Sequence, residues 1–247
     1  MPPLLVLWDI DYTLVAAGPS GQRLYEMVLE ASYGLPMPPN LSSMAGRTDT
    51  SIALEVLAAA GLTDPAGELA AFHAALAASA PEVESLVRER GRVLPGALTA
   101  LESLAGIGRD ELAGPLVQSV LTGNIPALAR VKLAALGLAE YLDLSIGAYG
   151  DVSANRADLV PVARRKAAAR YGAEFDGPLT VLVGDTPSDV AAAIASGARS
   201  VAVATGRFSA AELAQAGADV VFADLADTAT VISAVLGVAT AAADAVD

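Results

Sequence analysis

Two aspartates spaced i, i+2 close an unbroken apolar run, Leu4-Leu5-Val6-Leu7-Trp8-Asp9-Ile10-Asp11-Tyr12-Thr13-Leu14. Carboxylates in this pattern offer a nucleophile, a proton carrier and oxygen ligands for a hard divalent cation. A second acidic pair, Asp185 and Asp189, follows the run Val181-Leu182-Val183-Gly184. A third segment, Leu121-Thr122-Gly123-Asn124, puts a hydroxyl, a glycine and an amide after another apolar run. At a strand-to-helix turn these groups suit phosphate oxygens, and the backbone N–H groups of the helix start add to the attraction. Brought together, Asp9, Asp11, Asp185 and Asp189 would repel one another. A bound Mg²⁺ would remove that conflict. Anionic phosphoryl oxygens also call for a protein cation. Arg156, in the loop after the 144–148 run, or Arg164, Arg165 and Lys166, on the following helix, are the candidates. Each motif has a plainer reading: Asp-x-Asp recurs by chance, and Asp or Thr at these places can cap a helix. The order of all three, each at a strand end, argues against coincidence.

The elements that must position these residues follow from periodicity. An apolar run of this length reads as a strand buried on both faces, and its carboxyl end is where open α/β sheets place ligands. Residues 22–33 carry Leu24, Met27, Val28 and Ala31 on one helical face. Helical patterns recur at 49–60, 65–79 and 81–90, with a Pro-rich loop at 35–40, and no convincing strand falls between 15 and 92. From Val93-Leu94-Pro95-Gly96 onward, strands and helices alternate. Strands are expected at 116–121, 144–148, 180–183, 200–204 and 220–222, and helices at 97–105, 125–136, 157–171, 188–196, 209–216 and 227–236. Such alternation predicts an α/β fold with a doubly wound parallel sheet. Residues 1–14 and 93–247 would form the core. The helical block 15–92, inserted just after the first strand, would overhang the site as a lid.

Composition narrows the classes further. The chain has 247 residues, 54% hydrophobic and only 4% aromatic, with no cysteine. Disulfides, thiolate catalysis and Cys-based zinc sites are excluded. A net charge of −13 would repel nucleic acid. No stretch has the length and Leu/Ile/Phe density of a membrane span. The nearest, 229–246, is rich in Ala and Thr and carries Gly237 and Asp244. It is expected to be a packed last helix with a frayed tail. The first apolar run lacks a basic leader, so no secretory signal and a cytoplasmic location are expected.

The constellation resembles the haloacid dehalogenase superfamily, on its phosphatase side, over nearly the whole chain. Asp9-Ile10-Asp11-Tyr12-Thr13-Leu14 is similar to the first motif of that family, Thr122-Gly123-Asn124 to the second and Gly184-Asp185-x-x-x-Asp189 to the fourth. The inserted block looks like a C1-type cap, and phosphoglycolate-phosphatase-like members look most similar. The resemblance implies that Asp9 attacks phosphorus to form an aspartyl-phosphate and that Asp11 protonates the leaving oxygen and then activates water. It implies Mg²⁺ held by Asp9, the Asp11 carbonyl and Asp185, with Asp189 in support. Thr122 would bind the phosphoryl group, with Thr13, Gly123 and Asn124 as further substrate contacts.

Two positions depart from the pattern. Tyr12 stands where glycine is usual; it would narrow the mouth or pack under the cap. The third motif, often Lys-Pro, is Asn155-Arg156-Ala157-Asp158. Arg156 is the preferred cation, by its loop position and distance before Asp185, and Lys166 is the alternative. In the cap, Arg47 is expected either to bind a second anionic group or to pair with Asp49 or Glu55. His73 and Trp8 read as packing residues.

A small phosphorylated metabolite is the expected partner, with neither nucleic acid nor membrane. Hydrolysis of a phosphomonoester leads. A hexose phosphomutase needs the same two aspartates. A haloacid dehalogenase has no need of Asp11, and a non-catalytic binding module leaves the carboxylate cluster without a purpose.

Overall fold

The first apolar run becomes the middle of a parallel sheet. In a computed structural model, which describes residues 3–18, 20–107 and 114–237, the strands are β1 (Leu4–Trp8), β2 (Val15–Ala16), β3 (Arg92–Val93), β4 (Leu116–Val120), β5 (Thr180–Gly184), β6 (Arg199–Val203) and β7 (Val220–Phe222). Five of them form one sheet in the order β4-β1-β5-β6-β7, all neighbours parallel. All of β1 is buried. Its side chains alternate between two apolar cores: Val6 and Trp8 enter one, Leu5 and Leu7 the other. Helices α5 (Ala97–Ala105), α6 (Pro126–Ala135) and α10 (Thr228–Leu236) line the first core. Helices α7 (Leu159–Tyr171) and α8 (Pro187–Ser196) line the second. A smaller cluster seats α9 (Ala210–Gln215) through Leu213 against Val190 and Ala202. This is the doubly wound α/β architecture the alternation predicted.

Four helices fill the insertion between β2 and β3: α1 (Ser20–Tyr33), α2 (Asp49–Ala59), α3 (Pro65–Ala78) and α4 (Ala80–Arg90). Their apolar faces, including Leu29, Phe72, Leu76 and Val87, join the core on the Trp8 side of the sheet, and α4 packs against α6. The block is not free of strand. The antiparallel pair β2–β3 matches Val15 with Val93 and Ala16 with Arg92, so the chain leaves and re-enters the core at one place. Two-residue strands are too short to show a period, which is why the sequence reads there as linker.

The 144–148 run is not a strand. Only Ala148 makes a bridge, to Leu121. The Asp143 side chain accepts from Ser145 N at 3.0 Å and from Ser145 Oγ at 2.6 Å, and Ile146 N donates back to the Asp143 carbonyl. That local turn uses backbone groups a ladder would need. The 157–171 helix begins as a single 3-10 turn, Arg156–Asp158, before α7. The tail expected beyond 237 lies outside the described residues. Among the described residues no helix is long and apolar enough to cross a membrane.

The return into the core turns at Gly96, whose φ of 77° is left-handed. A Cβ there would lie 1.8 Å from the Leu225 carbonyl oxygen. Strain and clash act together, so Gly96→Ala is expected to cost about 2 kcal/mol or more of stability. A urea unfolding curve checks this; an unchanged midpoint would contradict the close approach.

Candidate active site

The chemistry-bearing residues meet at the carboxyl ends of β4, β1 and β5. Asp9 N donates to the Val183 carbonyl at 2.8 Å, which brings Asp9 beside the end of β5. One carboxylate oxygen each from Asp9, Asp185 and Asp189 lies within 4.8 Å of the others, and all three residues are buried. Two glycines make this density possible. A Cβ on Gly184 would lie 2.2 Å from the Asp189 carboxyl carbon, and one on Gly206 would lie 1.8 Å from Asp185 Oδ2.

Arg156 enters the cluster with only 6% of its surface exposed. Its Nη2 pairs with Asp9 Oδ1 at 2.9 Å and Asp189 Oδ1 at 2.6 Å, and donates to the Leu121 carbonyl at 3.1 Å. Its buried Nε has no acceptor among the described residues. The other cation candidates lie elsewhere. Lys166 donates to the Gly147 carbonyl at 2.7 Å and sits over the Tyr149 ring. Arg164 binds Thr180, Ser196 and Gly177. Asp189 caps its helix and also joins the acid cluster: its Oδ2 accepts from Thr186 N and Oγ1 in a capping box while its Oδ1 meets Arg156. Thr13 Oγ1 lies 3.4 Å from Asp185 Oδ1, so this hydroxyl faces the metal-type cluster.

Asp11 points to a second group of side chains. Its Oδ2 accepts from Asn124 Nδ2 at 2.8 Å and from Lys132 Nζ at 2.6 Å. Lys132 also donates to Asn124 Oδ1 at 2.7 Å, and Asn124 Nδ2 donates to the buried Thr122 Oγ1 at 2.9 Å. Lys132 is not among the residues the motifs single out. Its signal in the sequence is faint: a lone lysine in an Ala/Leu-rich helix, eight residues after Asn124. Tyr12 takes a left-handed φ of 60°, the conformation that accounts for the usual glycine, and its side chain is half exposed. Thr205 Oγ1 donates to its carbonyl.

The inserted helices reach this site through the segment 46–50. Asp49 N donates to the Gly123 carbonyl at 2.7 Å, Ile125 N donates to Asp49 Oδ2 at 2.7 Å, and Thr50 N donates to the Gly150 carbonyl at 3.0 Å. Tyr25 Oη donates to Asp49 Oδ1 at 2.7 Å. A Cβ on Gly123 would lie 2.0 Å from the Arg47 carbonyl oxygen, so the room this glycine leaves is filled by the segment's own backbone. Arg47, considered for a second anionic group, commits its guanidinium to Glu55 and to the Ser51 carbonyl and hydroxyl. Its ion-pair alternative is the arrangement observed, with Glu55 rather than Asp49. Trp8 is a packing residue whose Nε1 donates to Gln118. His73 is partly buried on α3, its Nε2 without a partner among the described residues.

Electrostatics follow burial. Desolvation raises the Asp9 carboxyl to about 6, with Arg156 opposing and Asp189 and Asp11 adding. Desolvation, then Asp9 and Asp189, raise Asp185 to about 9. Burial works against the charge of Arg156, yet Asp189 and Asp9 outweigh it and hold the guanidinium ionised. Burial likewise raises Asp49, against its hydrogen bonds from Tyr25 and Ile125. An all-oxygen, anionic donor set with acids held above their normal range fits a hard divalent cation, which would replace protons there. Asp9 and Asp185 have the freer oxygens, since both of Asp189 are engaged.

A profile of the family described as HAD-hydrolase-like matches residues 156–228, from Arg156 through β7. No curated protein matches the sequence significantly. Solved structures match along almost the whole chain. One is described as a predicted phosphoglycolate phosphatase from Haemophilus somnus, with a TM-score of 0.65 and 18% identity over 93% of this chain and 97% of that one. A hydrolase from Pseudomonas syringae gives 0.61 and 20% over 96% and 100%. A haloacid dehalogenase-like family protein from Streptococcus pneumoniae gives 0.60 and 15% over 93% and 98%. The chain therefore has an α/β fold of the haloacid-dehalogenase type, with added helical cap elements.

The raised acids set a pH dependence. A carboxyl whose pKa is higher folded than unfolded binds protons better when folded, so stability falls as pH rises from its normal value to the folded one. For Asp185 that window runs from the ordinary 3.8 to about 9. Metal-free protein is expected to melt at progressively lower temperature across it, and Asp185→Asn to melt higher than wild type at pH 8. A Tm that rises with pH in the wild type, or falls at pH 8 in the variant, would contradict the arrangement.

Proposed function

We propose that the protein is a Mg²⁺-dependent phosphatase of small phosphomonoesters, working through a phosphoryl group carried on Asp9. The observation that carries this reading is the buried meeting of Asp9, Asp185 and Asp189 around Arg156, with Asp11 held nearby by Asn124 and Lys132. Phosphoryl transfer needs positioning and charge neutralisation more than elaborate covalent chemistry. Mg²⁺ on Asp9, the Asp11 carbonyl and Asp185, with Asp189 in support, would neutralise phosphoryl charge.

The protein's own groups supply the remaining steps. An Asp9 carboxylate oxygen bonds to phosphorus as the bond to the ester oxygen breaks, and Asp11 gives that oxygen its proton. A water then attacks phosphorus, gives a proton to Asp11, and the Asp9–phosphorus bond breaks to release phosphate. Thr122, with Gly123 and Asn124, would bind the phosphoryl oxygens, and Arg156 favours the ionised form of Asp9 and orients it. The helical block 15–92 acts as the cap, and its segment 46–50, seated on Gly123 and Gly150, limits the site to small substrates such as phosphoglycolate or a sugar phosphate. A pure dehalogenase is disfavoured, because it would give no work to an Asp11 held by two donors.

Asp9→Asn is expected to lower Mg²⁺-dependent phosphate release from p-nitrophenyl phosphate by about 10³-fold or more, and a chelator to abolish it in wild type. Arg156→Ala should cause a large loss that Lys166→Ala does not. Full activity in Asp9→Asn, or in chelator, would overturn the reading.

A further inference from the structure

The strongest unassigned feature is the buried lysine of α6. Lys132 lies among Leu128, Ala129 and Leu133 on the helix face turned to the core, and its side chain is only 9% exposed. Burying an ammonium is costly unless it is paired, and an apolar residue of similar volume would usually serve stability as well or better. Here Nζ has two acceptors, Asp11 Oδ2 at 2.6 Å and Asn124 Oδ1 at 2.7 Å.

This donor-only group settles two orientations together. Because Lys132 takes Asn124 Oδ1, the amide nitrogen of Asn124 must face the other way, toward Asp11 Oδ2 and Thr122 Oγ1. Asp11 Oδ2 then receives two N–H donors. Among the described residues Asp11 Oδ1 receives no such bond, and about a third of the side chain is open. Resting on the phosphatase reading, we infer that Lys132 is the positioning residue for the acid/base: it locks Asp11 Oδ2, directly and through Asn124, so that Oδ1 alone exchanges a proton with the leaving oxygen and then with water. The bonds made and broken are those of the two steps above; Lys132 itself gives up no proton. It also ties the acid/base to the Thr122–Ile125 turn on which Asp49 of the insertion is seated.

Leaving-group dependence separates positioning from mere support. p-Nitrophenolate departs without protonation, whereas an alkoxide needs it. In single turnovers, Lys132→Met is expected to slow phosphoryl transfer from glycerol 2-phosphate to Asp9 by about 100-fold and from p-nitrophenyl phosphate by less than about threefold, and to slow the later attack of water alike for both esters. In an Asp11→Asn background the same change should cost glycerol 2-phosphate turnover nothing further. A retained burst of p-nitrophenolate, with an unchanged far-UV circular dichroism spectrum, reports that the variant is folded; should Lys132→Met fail that check, Lys132→Gln is read the same way. Equal losses on both esters in phosphoryl transfer to Asp9, or an undiminished further loss in the Asp11→Asn background, would overturn the inference. A wild-type protein that cleaves neither ester would instead overturn the phosphatase reading beneath it.

Discussion

Three carboxylates buried together, two at adjacent strand ends and one at the start of α8, repel one another, and the guanidinium of Arg156 offsets them. Much of the fold around the site serves that contact. The β1 and β5 pairing sets Asp9 beside Asp185, while the start of α8 brings Asp189 in behind them. Gly184 and Gly206 leave room for carboxylates that any side chain would displace. The 3-10 turn Arg156–Asp158, capped by Asn155, delivers the arginine from the second core side of the sheet. Even so, one cation cannot neutralise three acids, and burial leaves Asp9 and Asp185 holding protons more tightly than free carboxyls do. The site is thus stable enough to fold and still strongly disposed to accept a further positive charge.

The second constraint is the seating of the inserted helices. Asp49 is a buried acid whose two oxygens are both used, one by Tyr25 within the insertion and one by the N–H of Ile125 at the start of α6. It takes the position at a helix N-terminus where an anion is favoured. The backbone around Arg47 fills the space that Gly123 leaves. A single turn, Thr122–Ile125, is therefore gripped from the insertion by Asp49 and from the core by Asp11 and Lys132. Any motion of the inserted block must act on the turn that holds Thr122 and Asn124.

Long buried strands and their terminal acids are plainly legible in the sequence, because an aspartate that closes an apolar run marks where a buried strand reaches the polar end of its sheet. Arg156 is preferred over Lys166 because a loop before a helix can reach a strand end, while Lys166, deeper in α7, reaches only the Gly147 carbonyl. The run 144–148 misleads because apolar residues fill both strands and buried coils, and the deciding group, the Asp143 side chain, acts through local hydrogen bonds that hydrophobic pattern does not encode. Lys132 and Asp49 are illegible for another reason. Each lies in or beside a helix whose own periodicity is satisfied, and each acquires its role only from elements brought against it by the tertiary fold. Tyr12 is visible as an anomaly, but its left-handed backbone and half-exposed ring emerge only from the structure.

The central claim is that Asp9 bonds to phosphorus. Acid quenching during turnover of a phosphomonoester with Mg²⁺, followed by peptide mapping by mass spectrometry, tests it most directly, with Asp11→Asn used to slow the attack of water. The expected result is an acid-stable phosphoryl group on Asp9 that is absent from Asp9→Asn. Phosphate release with the phosphoryl group found on another residue, or with turnover undiminished in Asp9→Asn, would contradict the account.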